Sequence, residues 1–576
     1  MNMGNGKEKK QTNRQWLFWL LPLSFFVIFY FYPLGNIFAL SFSRSETGVL
    51  VPFLDAIQSN SVQNVLSFTV WQALLSTLLT LAIGLPGAYL FGRFKFRGKN
   101  LLRALTGVPF VMPTLVVAAA FNALLGPRGW LNLGLMDIFD LSEPPIRFIN
   151  TLGAILLAHV FYNTTIVLRM VGDFWGRLDP KLTQAAQTLG ANRWQSWWGV
   201  TVPLLLPAIT AAALLVFIFD FTSFGVVLVL GGPKFSTLEV EIFYQTISLF
   251  NLPMAAVLSL IQLFTTLGLT IIYTRLSNKL SRPLKQRGRK ITQSKLLGWR
   301  QKTFGATMIG LMVLLFVTPL LALGVRSFTR LDPDKRQTVE SVQSGFTTDF
   351  YEELSVNSRD SYFYAPPTSA IQTSLLYASA TVFFALVLGF PAAWALARYK
   401  KSLASRLLDP ILMLPLGTSA VTLGLGFIVA LDSPPLDLRT SPLLIPLAHT
   451  LVAFPFVVRS LTPALRSIQP VLRKAAASLG ASPSKVFKEI DLPLIGRALI
   501  VSATFALTIS LGEFGATALV ARPEFPTIPV VIYRFLSQPG GLNYGQALAL
   551  STILMVVTTL GMLAIERLRI AEVNEF

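Results

Sequence analysis

Apolar residues in this chain neither alternate nor form narrow stripes; they collect in runs of about 20, the length a helix needs to cross a bilayer core. Six such runs, at 15–42, 65–92, 103–125, 151–172, 204–230 and 253–274, precede a polar interval; six more follow it, at 304–327, 370–397, 405–430, 442–463, 494–520 and 543–565. The predicted fold class is an all-α polytopic membrane protein of about 12 transmembrane helices, in two tandem six-helix repeats. The predicted divisions are a cytoplasmic tail at 1–14, a transmembrane domain at 15–276, a basic cytoplasmic linker at 277–303, a second transmembrane domain at 304–567 and a cytoplasmic tail at 568–576. The opening run, Trp16 to Phe42, follows Lys7, Lys9, Lys10 and Arg14 as in a signal peptide. It exceeds the roughly 7–15 apolar residues of such peptides and no Ala-x-Ala site follows, so it reads as a retained first span.

The polar stretches between runs show that the chain is duplicated. Gln184-Ala185-Ala186-Gln187-Thr188-Leu189-Gly190, leading on to Pro203, recurs as Lys474-Ala475-Ala476-Ala477-Ser478-Leu479-Gly480, leading on to Pro493. The differences 475 − 185, 480 − 190 and 493 − 203 all equal 290. Gly84 and Pro86 match Gly389 and Pro391 at an offset of 305, Pro109 and Phe121 match Pro415 and Phe427 at 306, and His159 to Thr237 match at 290. The drop in offset places a deletion of roughly 15 residues in the second copy's outer loop after its third span, where length change is best tolerated. Each repeated stretch is helix-favouring, with a Gly that lets the backbone turn and a Pro that opens the next apolar run.

Charge sets the orientation. The chain has 48 Lys and Arg against 28 Asp and Glu, a net charge of +20, yet only 13% of its residues are charged and 53% are hydrophobic; mean hydropathy is +0.59. In such a chain excess Lys and Arg mark cytoplasmic loops and do not imply a nucleic-acid partner. The loops Arg93 to Lys99 and Arg398 to Lys401 carry no acid, and neither does the joint from Arg275 to Lys302. All three are expected on the cytoplasmic side, the joint as a solvated linker touching anionic lipid headgroups. Asp137, Asp140 and Glu143, and Asp332, Asp334, Glu340, Asp349, Glu352, Glu353 and Asp360, belong to outward loops. Both termini and both repeated stretches then face inward.

Candidate chemistry is sparse. With no cysteine, thiolate metal sites and thiol nucleophiles are excluded. No G-x-x-x-x-G-K-[ST] phosphate loop, serine elbow or H-E-x-x-H helix occurs, so neither ATP hydrolysis nor another catalytic activity is expected of this chain, and no cofactor or metal. The two histidines, His159 and His449, are repeat equivalents followed ten residues on by Arg169 and Arg459. No carboxylate lies near either histidine in sequence, which favours satisfied contacts inside the bundle, with the arginines reaching to the inner interface. Asp220, in Phe219-Asp220-Phe221-Thr222-Ser223-Phe224-Gly225, and Glu513, in Gly512-Glu513-Phe514-Gly515, fall well inside the fifth and eleventh runs. A carboxylate at that depth costs several kcal/mol unless paired or wetted, and so marks an interior path. Asp220, Ser223, Phe224, Glu513 and Phe514 are the candidate path residues, each Phe-Gly pair setting a ring beside a flexible point; Phe also fills helix interfaces generally. The Pro/Gly-rich segments 231–237 and 521–527 cannot continue as helix and are expected to fold back at the outer ends of those runs.

The repeated Ala-Ala, Gly and Pro spacing resembles the EAA loop of the permease subunits of bacterial ABC importers. Over nearly the whole chain the resemblance is to two fused permease domains of the MetI-like superfamily, and among those to the thiamine and ferric-iron branch. Leu156 to Asn163 and Leu230 to Glu239 are most similar to thiamine permeases. One departure is that Gln184 and Lys474 stand where that loop has a glutamate. The resemblance implies a bacterial inner-membrane subunit that passes a small solute, thiamine or ferric iron, by alternating access. It further implies two cytoplasmic ATP-binding cassette subunits on the coupling loops Gln184, Ala185, Ala186, Gly190, Pro203 and Lys474, Ala475, Ala476, Gly480, Pro493, and a solute-binding protein at the outer mouth. The rival reading is a twelve-span secondary transporter driven by an ion gradient.

Overall fold

A computed structural model describes residues 18–42, 51–280, 292–329, 345–356, 366–399, 402–432, 434 and 436–574. Among these, eleven helices are long and apolar enough to cross a membrane, or twelve if a helix pair bent by 96° is counted as one broken span. The first half supplies α1 (Phe18–Phe42), α2 (Asn60–Arg93), α3 (Thr114–Leu125), a short α4 (Trp130–Phe139), α5 (Leu152–Trp175), α6 (Pro180–Thr188), α7 (Val202–Phe221), α8 (Gly225–Leu230), α9 (Leu238–Phe243) and α10 (Leu252–Leu280). The second supplies α11 (Trp299–Arg326), α12 (Pro367–Arg398), α13 (Ala420–Ala430), α14 (Leu444–Ser467), α15 (Pro470–Ser478), α16 (Leu492–Gly512), α17 (Gly515–Val520), α18 (Ile528–Leu536) and α19 (Gly541–Asn574). The bounds of α6 and α15, and of α8 and α17, repeat at the same 290-residue offset (470 − 180, 478 − 188, 515 − 225, 520 − 230).

Four apolar runs that read as continuous are broken. The run 103–125 is split into helices Lys99–Leu105, Val108–Val111 and α3, and the run 405–430 into Leu403–Leu412, Leu414–Gly417 and α13. Proline explains the first: Met112 precedes Pro113 and is pushed to an extended ψ of 135°, where a helix cannot continue. In the ninth span Thr418 and Ser419 are extended, with ψ values of 132° and 139°, and the Ser419 hydroxyl caps the start of α13. The fifth and eleventh runs break between α7 and α8 and between α16 and α17.

Pro203 and Pro493 open their apolar runs as expected, as the second residues of α7 and α16, but no new rod begins there. Each lies inside a continuous rod, Arg193–Phe221 or Pro483–Gly512, directly after a π-helical turn, Trp197–Thr201 or Phe487–Asp491. The wide turn accommodates the proline ring and its missing N–H. The rods start instead at side-chain caps on Asn192 and Ser482.

The halves interlock rather than sit side by side. α3 packs on α11 and α19 of the second half, and α13 packs on α1 and α10 of the first. Phe26 of α1 meets Phe454 of α14 edge-on at 5.1 Å, and Phe161 of α5 lies 5.9 Å from Phe316 of α11. α13 can approach α1 this closely because of Gly426, whose missing Cβ would stand 2.9 Å from that of Pro33.

On the face carrying the basic loop, β1 (Phe94–Lys95) pairs in parallel with β2 (Ser294–Lys295). Thr292 donates to the Gly176 carbonyl, and Gln293 to those of Phe91 and Gly92, so this part of the joint is docked on the first half. The predicted tail at 1–14, the acids Asp332, Asp334, Glu340 and Asp360, Lys400 and Lys401, and the joint residues 281–291 lie outside the described residues. The stretch 568–574, predicted as a tail, continues α19.

Candidate functional site

The four helix breaks converge. Pro113 and Thr114, Thr222 to Gly225, Thr418 to Ala420 and Gly512 to Gly515 all line one cavity of about 410 Å³, within the range of small-solute sites. Unwound backbone at membrane depth is tolerated only where protein or a water-filled space satisfies it.

Asp220 and Glu513 both line this cavity, but their surroundings differ. Asp220, fully buried, accepts from Asn163 Nδ2 on Oδ1 at 2.6 Å, while its backbone carbonyl accepts from Gln72 at 2.8 Å. Its Oδ2 has no hydrogen-bond partner among the described residues. Glu513 is saturated: Oε1 accepts from the Ala516 amide at 2.9 Å, and Oε2 from the Thr517 amide at 3.1 Å and the Thr517 hydroxyl at 2.6 Å. The carboxylate thus caps α17.

The histidines are satisfied by hydroxyls, as predicted, and they also meet the carboxylates, which sequence separation had hidden. His159 Nε2 lies 2.8 Å from the Ser223 hydroxyl and Nδ1 3.0 Å from that of Ser76, with Asp220 Oδ1 3.4 Å away. His449 reaches the hydroxyls of Ser510 and Thr517, both at 2.7 Å, with Glu513 Oε2 at 3.2 Å. Arg169 pairs with Glu566 of α19 in the other half. Arg459 is largely exposed, 3.9 Å from Asp409.

Phe224 and Phe514, 290 residues apart, stack on one another across the two halves, with centroids 5.4 Å apart and planes 18° from parallel. Their neighbours Phe243 and Tyr533 hold the same offset, each 5.4 Å from its own half's ring, and meet edge-on at 6.4 Å. Phe243 and Tyr533 back the stacked pair from outside the cavity. The segment 231–237 folds back, as expected, far enough for the Thr237 hydroxyl to donate to the Ser223 carbonyl at 3.2 Å. α9 and α18 then begin at matching anchors: the Leu238 amide donates to Thr69 Oγ1 at 3.0 Å and the Ile528 amide to Ser374 Oγ at 2.8 Å.

Glu239, in the first turn of α9, also lines the cavity and is 1% exposed. The signal for it is an acid between Leu238 and Val240, easily assigned to the end of a polar loop.

The repeated helices α6 and α15 lie far from the cavity in sequence and have no fully buried residue. Gln184, Ala185, Lys474 and Ala475 are exposed, and Ala186 and Ala476 half-buried. Both helices end in the same turn: Gly190 and Gly480 have φ of +95° and +80°, and the Ala191 and Ala481 amides donate to the Ala186 and Ala476 carbonyls at 3.1 and 3.0 Å. The turns leave Leu189 and Leu479 standing out, 89% and 88% exposed. Anchorage differs. Thr183 and Thr201 approach only to 3.5 Å, whereas their equivalents Arg473 and Asp491 form a 2.7 Å ion pair with the guanidinium over Trp394.

A family model described as the binding-protein-dependent transport system inner membrane component matches residues 84–282 and 385–569. The chain is 28% identical over 523 residues to the thiamine transport system permease protein ThiP of Escherichia coli (strain K12), covering 87% of this chain and 89% of that protein. The corresponding protein of Haemophilus influenzae (strain ATCC 51907 / DSM 11121 / KW20 / Rd) is 27% identical over 542 residues, covering 93% and 94%. Among solved structures, a bacterial ABC transporter involved in import of the acidic polysaccharide alginate aligns over 48% of this chain and 100% of its own, with a TM-score of 0.41 and 18% identity.

Proposed function

The chain belongs to the family of binding-protein-dependent transport system inner membrane components, and from that premise we propose that it forms the translocation path of an ABC importer for thiamine. Membership sets aside the ion-gradient transporter. The observation that carries the proposal is the pair α6 and α15, two matching helices with no fully buried residue and an outstanding leucine each. In this reading they face the cytoplasm together with both termini, and each receives one of two ATPase subunits related by a pseudo-two-fold axis. Gln184 and Lys474 replace the carboxylate usual in that loop, so docking rests on shape, with Leu189 and Leu479 as knobs.

ATP-driven closure of the two subunits moves α6 and α15, and with them the rods that end at the cavity. The stacked Phe224 and Phe514 part, and a solute delivered by a binding protein enters beside Asp220, Ser223 and Glu513. A cation such as thiamine gains from the acids, most from Asp220, which has an unpaired oxygen. Because the chain has no cysteine, single cysteines at Ala185 and Ala475 test the docking directly. Each is expected to crosslink to an ATPase subunit and to react only with cytoplasmic reagent. Failure of both positions to capture that subunit, or labelling from outside the cell, refutes the proposal.

A further inference from the structure

We infer that Glu239 is a third path carboxylate, one that bridges the two halves and makes the cavity selective for a positively charged solute. The inference rests on the importer reading. Glu239 Oε1 accepts from Gln262 of its own half at 2.5 Å, while Oε2 accepts from the hydroxyl of Ser419 in the second half. That hydroxyl also caps α13, accepting from the amides of Val421 and Thr422.

The bridge has no mirror image. At the repeat offset Glu239 corresponds to Pro529, and Ser419 to Pro113 (529 − 239 = 290; 419 − 113 = 306), so neither end exists in the other copy. The bridge is therefore a one-sided feature of a duplicated fold, set in the cavity wall. A solute is not two-fold symmetric, and a one-sided charge is what fits it to a pseudo-symmetric chamber. The wall agrees: Asp220, Glu239 and Glu513 line the cavity and no Lys or Arg does, among the described residues. Buried Asp220 adds an Oδ2 with no hydrogen-bond partner among the described residues, available to a solute's charge. With the Phe224 and Phe514 rings in the same wall, the class of solute is an organic monocation on a flat ring. As the halves part, Ser419 leaves Glu239 and the solute's charge takes its place.

The test uses the complete transporter in proteoliposomes, with thiamine and a neutral isostere whose charged ring nitrogen is replaced by carbon. E239Q keeps the shape and an acceptor for Ser419 but removes the charge. It is expected to slow thiamine uptake about tenfold while leaving isostere uptake and binding-protein-stimulated ATP hydrolysis within about twofold. S419A removes the bridge and keeps the charge, and is expected to slow both solutes equally. Should E239Q also slow both equally, or neither, Glu239 is a structural tie and the inference is overturned. Should E239Q not assemble, carbodiimide labelling of Glu239 in the unaltered complex decides: protection by thiamine and not by the isostere supports the site, and equal labelling overturns it. A wild-type complex that neither takes up thiamine nor stimulates hydrolysis refutes the reading as a thiamine importer.

Discussion

The two exposed helices are built alike but tied down differently, and the difference has a measurable size. Asp491, 2% exposed, holds Arg473 at 2.7 Å, and the guanidinium also lies 5.4 Å from the Trp394 ring centre. Removing one partner of a fully buried ion pair costs about 3–5 kcal/mol. The Arg473 side chain is 23% exposed and keeps its aromatic partner, so D491N is expected to cost less, about 1.5 kcal/mol, or roughly tenfold in the population of undocked α15. The matching change in the first half, T201V, removes a contact at 3.5 Å, the outer limit of a hydrogen bond, and is expected to shift α6 by about twofold at most. Hydrogen exchange followed by mass spectrometry on peptides spanning 180–188 and 470–478 reads both helices in one sample. D491N should speed exchange of α15 about tenfold and leave α6 unchanged. Equal acceleration of the two helices, or none in α15, refutes the assignment of this ion pair as the anchor.

Other consequences follow from the cavity and the packing around it. A double-mutant cycle on F224A and F514A, read from thermal unfolding in detergent, should give a coupling of about 0.5–1.5 kcal/mol for the stacked pair, and either single variant should leak solute without ATP. D220N removes a buried charge that lacks a full set of partners, so the unfolding midpoint should rise while thiamine uptake falls, the trade expected where a site is held ready for a ligand. G426A drives a methyl into Pro33 and should destabilise by about 1–3 kcal/mol, whereas G199A, with nothing within 4 Å, should leave the midpoint unchanged within error.

Much of this protein was legible along the chain. Span length and number follow from backbone rise against bilayer thickness, and the duplication follows from spacing alone, down to the shared bounds of α6 and α15. Asp220 and Glu513 stood out because a carboxylate in an apolar run is costly. The breaks in the third and ninth spans were less visible: hydropathy reads straight through Met112, forced out of the helical region by Pro113, and through the extended Thr418 and Ser419. Pro203 and Pro493 mark the apolar runs but not the starts of the rods, since a π-helical turn carries the helix into each one. What tertiary structure alone decided is partnership across distance. Periodicity says which residues share a helix, not which helix crosses to the other half. Thus the packing of α1 on α13, the Phe224 and Phe514 stack, His159 beside Asp220 and the bridge from Glu239 to Ser419 became visible only once the two halves had interlocked.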